Sequence, residues 1–188
     1  TTHLRLADVP KAVTAKRVAV ATYHLCRFLM SLRKRTPRVA VVSLNPHAGE
    51  SGLLGNEERL KIVPGAKRAL AWLEKEGLTA HVEAPIGAET AYRRAAEFKL
   101  DGVVAMYHDQ ATIPSKLLDF GDAVNVTLGL PLVRTSVDHG TGYDIAQPTQ
   151  PARGALLAAT DLAGKLPRAR RSVAATNGAA KNGAARRA

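Results

Sequence analysis

The alternation of short β-branched runs with longer helical segments constrains the fold of this chain more than any other feature. Residues 38–44 (RVAVVSL) and 102–107 (GVVAMY) are short and rich in valine, as buried strands are, and residues 78–84 form a third candidate strand. Two longer segments lie between these strands, residues 57–76 and 88–98, and their apolar residues recur at helical spacing. Strands that alternate with helices predict an α/β class with a largely parallel or mixed sheet.

The ends of the chain extend this pattern. Apolar residues recur at helical spacing over residues 9–35, where Asp8 is placed to cap a long helix and Pro10 fits its first turn. Near the other end, residues 123–127 and 132–136 predict two short strands, and residues 154–166 predict a final helix.

The net charge of +11 invites a nucleic-acid role, but the location of the charge argues against one. Seven positive charges follow residue 164, where no acidic residue occurs, so the preceding chain carries only +4. Aromatic residues make up 4%, fewer than a single-strand binder usually has. We interpret residues 168–188 as a disordered basic tail, and a nucleic-acid role would require salt-dependent binding that disappears without it.

Cysteine content and hydropathy predict a cytoplasmic location. The only cysteine, Cys26, rules out a disulfide within the chain, which suits a reducing compartment. No apolar run reaches the roughly 18 residues of a membrane span, and the first residues lack the features of a signal peptide.

Several common motifs are absent from the sequence. The glycines after the first strand lack the GxGxxG spacing of a dinucleotide fingerprint, and there is no Walker A lysine, GxSxG elbow or paired-cysteine zinc pattern. Amide-hydrolase and kinase functions therefore have no support.

Six histidines are the main candidates for chemistry. His24 and His81 lie inside a predicted helix and strand, where a structural or surface role is the simpler interpretation. The others lie in predicted polar loops: His3, His47, His108 and His139. Imidazole is the commonest metal ligand, but spacing this long is not specific, so a shared metal and separate surface roles both stay open.

Other polar residues near these loops point to an anionic ligand. Lys116 and Arg134 have the charge to hold one, although each also fits an ordinary surface position. Asn125 lies amid β-branched residues, where a polar side chain needs a partner or a ligand. Gly140 follows Asp138 and His139, where it allows close backbone approach or simply forms a tight turn.

Several ordered motifs resemble the 4-hydroxythreonine-4-phosphate dehydrogenase family. They are residues 1–4 (TTHL), 45–50 (NPHAGE), 105–110 (AMYHDQ), 124–131 (VNVTLGLP) and 134–141 (RTSVDHGT). The resemblance covers about residues 1–146. The four motifs from residue 45 onward, found in one order in one chain, are highly specific.

The resemblance implies an isopropylmalate-dehydrogenase-like fold, an α/β/α sandwich with a mixed sheet, and a homodimer with its active site at the interface. Full-length family members carry a substantial portion before the first metal histidine, so we expect residues 1–167 to be the carboxy-terminal part of such a fold, incomplete at its amino terminus. We expect that incompleteness to expose apolar surface.

The resemblance also implies roles for individual residues. A divalent metal (Zn, Mg or Co) is expected on His3, His47 and His108, shared between subunits. Substrate contacts are expected from Lys116, Asn125 and Arg134, and NAD or NADP contacts from His139, Gly140, Thr141 and Asp144. Lys116 and Asp109 are the candidate catalytic residues, Asp109 by orienting His108.

The implied reaction is metal-assisted oxidation of a secondary alcohol on a phosphorylated four-carbon acid, with loss of carbon dioxide from the keto acid. Family relatives act on other sugar-acid phosphates or on dihydrodiol carboxylates, so the substrate stays open. Residues 147–150 (QPTQ) replace the usual glycines of the cofactor turn, and Ala111 replaces a frequent glycine. A truncated, non-catalytic fragment is the third hypothesis.

Overall fold

The computed structural model describes residues 1–118, 122–140 and 153–166. The chain divides into two compact units, Thr1–Leu118 and Asp119–Ala188. None of the helices described in these residues has the length and apolar character that crossing a membrane requires.

The first unit is built on a parallel sheet, which confirms the predicted α/β class. Its strands are β1 (Arg38–Val42), β2 (His81–Ile86) and β3 (Gly102–Val104). Their order is β2-β1-β3, and both neighbours pair with β1 in parallel. The central position of β1 explains its valine-rich sequence, because a central parallel strand is buried on both faces.

Helices connect and cover these strands. They are α1 (Val9–Ala12), α2 (Ala15–Arg33), α3 (Val63–Lys75), α4 (Ala88–Ala96) and α5 (His108–Leu118), and a π-helical turn, Glu58–Ile62, leads into α3. The predicted segments 57–76 and 88–98 are thereby confirmed as helical. Residues 108–118 were not predicted to be a helix.

Alternate side chains of β1 enter two different cores, which gives the unit an α/β/α layering. Val39 and Val41 belong to a cluster that contains residues of α2 and α3. Ala40 and Val42 belong to a second cluster with Ala91 of α4. Since successive strand residues point to opposite faces, α2 and α3 cover one face of the sheet and α4 covers the other. Burial of each valine side chain stabilises the folded state by roughly 1.5–3 kcal/mol relative to leaving it exposed.

The single helix predicted over residues 9–35 is wrong, because the chain breaks at Val13. Val13 is buried with an extended backbone (ψ 119°), and α2 starts after Thr14. The hydroxyl of Thr14 accepts a hydrogen bond from the Arg17 N–H at 3.2 Å, so Thr14 is the cap. Asp8 makes no capping bond and instead pairs with Arg5 at 2.8 Å.

The second unit contains an antiparallel hairpin and a helix. Strands β4 (Val124–Thr127) and β5 (Arg134–Val137) pair with each other, and α6 spans residues 154–166. The two strands and the helix predicted here are confirmed. The division into residues 1–167 and a tail at 168–188 stays a prediction, because residues 167–188 lie outside the described residues.

A buried carboxylate ties the amino-terminal ends of β1 and β3 together. The Asp101 side chain has no solvent exposure and accepts hydrogen bonds from the Arg38 N–H at 2.8 Å, Arg33 Nη1 at 3.0 Å and Arg35 Nη1 at 3.0 Å. Burial alone would raise the pKa of Asp101, but the Arg38 N–H and the Arg35 guanidinium outweigh it, so the pKa lies below its ordinary value.

We expect Asp101→Asn to lower the free energy of unfolding by about 1–3 kcal/mol at neutral pH, because an amide cannot accept all these hydrogen bonds. A carboxyl with a depressed pKa stabilises the fold above its unfolded pKa of about 3.9, and this contribution is lost as pH falls through the lower folded value. Urea unfolding over this pH range should therefore show that the difference in the free energy of unfolding between the variant and wild type becomes smaller in acid.

Glu97→Gln is the control, because Glu97 forms partly exposed pairs with Arg93 and Lys99. Equal stability of Asp101→Asn and wild type at neutral pH would contradict the assignment.

Candidate active site

Two of the sequence motifs leave neighbouring strands at the carboxyl edge of the parallel sheet. The β1–β3 ladder ends with Val41 opposite Val104. Residues 45–50 follow β1, and residues 105–110 follow β3. Because the two strands are parallel neighbours, both polar segments leave the sheet at one edge, where ligands of α/β proteins usually bind.

The segment after β1 has an unusual backbone. Residues 47–51 all have positive φ, with His47 at 49° and Gly49 at 80°. A left-handed conformation costs a residue other than glycine about 1–2 kcal/mol. At Gly49, an added Cβ would lie 2.8 Å from the carboxylate oxygen Oε2 of Glu58, so no side chain fits there. Neighbouring groups must therefore hold this loop in place.

Glu58 is the group that holds the start of the loop. Its side chain is 5% exposed, and its Oε1 accepts hydrogen bonds from the N–H groups of Leu44 at 2.9 Å and Asn45 at 2.8 Å. Its Oε2 accepts a further bond from Asn45 Nδ2 at 3.0 Å. The sequence interpretation missed Glu58. The available signal was an acidic pair at a helix start, directly after a loop whose N–H groups need acceptors.

The segment after β3 turns at once into α5. His108 is the first residue of this helix, so its predicted loop position is wrong. Asp109 Oδ1 lies 2.7 Å from His108 Nδ1. That contact favours the proton on Nδ1 and leaves the Nε2 lone pair available to a ligand. The predicted orienting contact of Asp109 is therefore present, and its catalytic role stays a prediction.

His3 lies beside His108. The hydroxyl of Thr1 donates a hydrogen bond to the Met106 carbonyl oxygen at 2.7 Å, which anchors the first residues at the end of β3. The ring centroids of His3 and His108 are 5.5 Å apart. With metal–nitrogen distances of about 2.0–2.1 Å, two imidazoles on one tetrahedral ion would have centroids about 5 Å apart. The observed separation of the two ring centroids is close to that value.

His47 does not complete a three-ligand set within this chain. Its side chain is exposed in the left-handed loop. Over residues 1–118, 122–140 and 153–166, no three His, Cys, Asp or Glu side chains are close enough together to hold a metal ion. The structure thus brings together two of the three predicted ligands, and the three-histidine metal site stays a prediction.

Titratable groups elsewhere in the first unit have simpler environments. His24 is partly buried in α2, where burial and then Arg27 lower its pKa. His81 is exposed at the start of β2, the opposite end of the sheet. Burial raises the pKa of the Cys26 thiol to about 11, so it is protonated at neutral pH. These positions agree with the structural or surface roles predicted for the two histidines.

Lys116 lies on the same helix as His108. It is exposed, eight residues further along α5, which corresponds to about 12 Å of helical rise. The structure therefore separates it from the histidine pair by more than two turns. Its predicted contacts with the substrate stay a prediction.

In the second unit, two predicted substrate residues share one face of the β4–β5 hairpin. Asn125 pairs with Ser136 and Thr127 pairs with Arg134, which puts all four side chains on one side. Arg134 Nη1 donates to Thr127 Oγ1 at 2.9 Å. Asn125 and Arg134 are both exposed, so Asn125 does not need the buried partner that its sequence context suggested.

The opposite face of this hairpin packs on a helix. Thr135 Oγ1 donates to the Ala159 carbonyl oxygen of α6 at 2.9 Å. The exposed polar face is therefore the one open to a ligand.

Only two of the four predicted cofactor residues, His139 and Gly140, lie within the described residues. His139 is exposed, and its Nδ1 lies 2.9 Å from the Gly140 carbonyl oxygen. Among the described residues, no atom lies within 4 Å of a Cβ added at Gly140. Thr141 and Asp144 lie outside the described residues. The cofactor contacts therefore stay a prediction.

Comparisons with known proteins agree with the motifs. Residues 1–163 match the family described as pyridoxal phosphate biosynthetic protein PdxA. A 4-hydroxythreonine-4-phosphate dehydrogenase of Geobacter metallireducens is 45% identical over 172 residues, which are 92% of this chain and 49% of the relative. This chain thus spans about half the length of the curated relatives it matches.

Solved structures give the same result. The 4-hydroxythreonine-4-phosphate dehydrogenase of Klebsiella pneumoniae superposes with a TM-score of 0.72 at 38% identity, over 88% of this chain and 48% of that one. A terephthalate 1,2-cis-dihydrodiol dehydrogenase of Burkholderia xenovorans superposes with a TM-score of 0.66 at 30% identity, over 87% and 50%.

We expect Glu58→Ala to lower the free energy of unfolding by about 1–3 kcal/mol, because the Leu44 and Asn45 N–H groups lose their acceptor. Glu57→Ala is the matched control. Glu57 also accepts from Asn45 Nδ2, a hydrogen bond that lowers its pKa, but its backbone contacts are with Glu57 itself and Asn56, not with Leu44 or Asn45. Chemical denaturation of both variants measures the difference, and equal losses would show that Glu58 has no special role.

Proposed function

This chain belongs to the PdxA family, and from that premise we propose that it is the metal- and substrate-binding portion of a 4-hydroxythreonine-4-phosphate dehydrogenase. The proposed reaction oxidises the secondary alcohol of 4-phosphooxy-L-threonine with NAD or NADP, then releases carbon dioxide to give 3-amino-2-oxopropyl phosphate. The family match over residues 1–163, with its histidine motifs at one sheet edge, carries the proposal. An isopropylmalate-dehydrogenase-like homodimer is part of it.

The proposed chemistry divides between the bound groups and the chain. A nicotinamide cofactor, when bound, would accept a hydride from the alcohol carbon, and water would take up the proton of the hydroxyl. A divalent ion, when bound, supplies a Lewis acid that stabilises negative charge on the alcohol oxygen. His3 and His108 would hold it, together with His47, and Asp109 keeps the His108 ring in the ligating tautomer through the 2.7 Å contact.

Cationic and polar side chains would bind the anionic substrate. Lys116 supplies a point charge, and Arg134 supplies a planar pair of donors suited to phosphate or carboxylate. Asn125 lies on the same hairpin face as Arg134, which supports a shared role for these two. His139, Gly140, Thr141 and Asp144 are proposed to contact the adenosine end of the cofactor.

A second candidate keeps the chemistry and changes the substrate. The match to the terephthalate dihydrodiol dehydrogenase favours a cyclic dihydrodiol carboxylate, whose oxidation also removes a hydride from a secondary alcohol. Its 30% identity is lower than the 38% and 45% to the Klebsiella pneumoniae and Geobacter metallireducens enzymes, so we rank it second. Another four-carbon sugar-acid phosphate is the remaining alternative within the family.

We expect the purified chain to bind Co²⁺ or Zn²⁺, and His3→Ala or His108→Ala to weaken that binding by at least 10-fold to 100-fold, because each removes a direct ligand. His47→Ala should weaken it also if this residue is the third ligand. Calorimetric titration and the Co²⁺ absorption spectrum measure these effects. His81→Ala is the matched control, since His81 is exposed at the opposite end of the sheet. A wild-type chain without stoichiometric metal, unchanged by His47→Ala, contradicts the metal site.

The substrate is tested with the chain alone and with the chain fused to the half of the Geobacter metallireducens relative that it does not match. We expect the fusion to reduce NAD or NADP when given 4-phosphooxy-L-threonine. Turnover of a dihydrodiol carboxylate instead would support the second candidate. A folded fusion that oxidises neither would point to a non-catalytic chain, with the intact relative as the positive control.

A further inference from the structure

Gln110 forms a bridge between the ends of the two central strands. Its Oε1 accepts a hydrogen bond from the Met106 N–H at 2.8 Å, just after β3. Its Nε2 donates to the Ser43 carbonyl oxygen at 2.9 Å, just after β1. The side-chain amide thus continues the β1–β3 ladder beyond Val41 and Val104, the last paired residues.

Both backbone groups that Gln110 contacts are buried. Ser43 is 4% exposed and Met106 is 2% exposed. Water cannot easily replace a lost partner at such positions, so each bond is costly to remove. The Ser43 N–H donates to the Ile86 carbonyl oxygen at 2.9 Å, so Ser43 is tied to β2 on one side and to Gln110 on the other.

The bridge links the two histidine-bearing segments. Gln110 lies two residues after His108 on α5, and Ser43 lies four residues before His47. Glu58 then fixes the next two N–H groups, those of Leu44 and Asn45. Hydrogen bonds of Gln110 and Glu58 therefore connect the start of α5 with residues 43–45, which lead into the left-handed loop.

We propose that Gln110 is a positioning residue that sets the placement of His108 relative to the loop carrying His47. Only an amide serves this role, because it donates at one end and accepts at the other. A carboxylate at this position keeps the Met106 bond but cannot donate to the Ser43 carbonyl. The structural part of the proposal stands by itself, and its consequence for metal binding rests on the proposed function.

The test compares Gln110→Met, which removes both bonds, with Gln110→Glu, which keeps the Met106 bond. Amide hydrogen exchange in the metal-free chain reports the structural part. We expect the Met106 amide to exchange at least 10-fold faster in Gln110→Met, and to stay closer to wild type in Gln110→Glu. The amides of Leu44, Asn45 and His47 should exchange faster in both, since both lose the Ser43 bond.

Co²⁺ titration of the same variants reports the consequence at the metal. We expect both to bind Co²⁺ about 10-fold to 100-fold more weakly, as loss of supporting contacts around a ligand typically does, with an altered absorption spectrum. Asp101→Asn is the control, because it destabilises the same unit from the opposite end of the sheet. It should leave the Co²⁺ affinity and spectrum unchanged, which separates positioning from a general loss of stability.

The outcomes distinguish the two proposals. If the wild-type chain binds no Co²⁺, the proposed metal site fails, and the exchange rates still decide the role of Gln110. If the amides of Met106, Leu44, Asn45 and His47 in folded Gln110→Met exchange at the wild-type rate, the proposal is overturned. It is equally overturned if wild type binds Co²⁺ and Gln110→Met binds it with the same affinity and spectrum.

Discussion

The parallel pairing of β1 with β3 is the interaction on which the rest of the candidate site depends. It places the segments after Val42 and Val104 at one edge of the sheet, although 61 residues separate His47 from His108. The buried valines of β1 fix this pairing from both faces, since one set packs on α2 and α3 and the other on α4. The packing of the apolar strand β1 thus determines where the two histidine-bearing segments lie.

Three polar side chains hold the ends of the β1–β3 ladder and the loop that follows β1. Asp101 joins β1 and β3 where they start, Gln110 joins them where they end, and Glu58 holds the loop that follows β1. Each satisfies backbone N–H groups that strand pairing leaves without a partner. Asp101 and Glu58 have side chains with little or no exposure, so their bonds are protected from competition by water.

Sequence patterns correctly predicted the helices and strands that have strong local signals. The predictions were wrong where the boundary of a helix depends on a capping contact or where a helix begins with polar residues. The strand at residues 38–44 and the helix at 88–98 were found, because valine runs and helical spacing report burial directly. The break at Val13 was missed, since Thr14 supplies a cap within an otherwise helical pattern. α5 was missed because His108, Asp109 and Gln110 resemble a polar loop, and Pro114 lies inside the helix.

The sequence by itself determined the α/β class, the family, and the motifs that bear the candidate ligands, because these depend on local composition and on residue order. Only the tertiary structure decided which residues meet. It brought His3 to 5.5 Å from His108, left His47 in a separate exposed loop, and gave Glu58 and Gln110 their bridging contacts. Such contacts join residues far apart in the chain, and their partners are backbone groups, which carry no signal in the sequence.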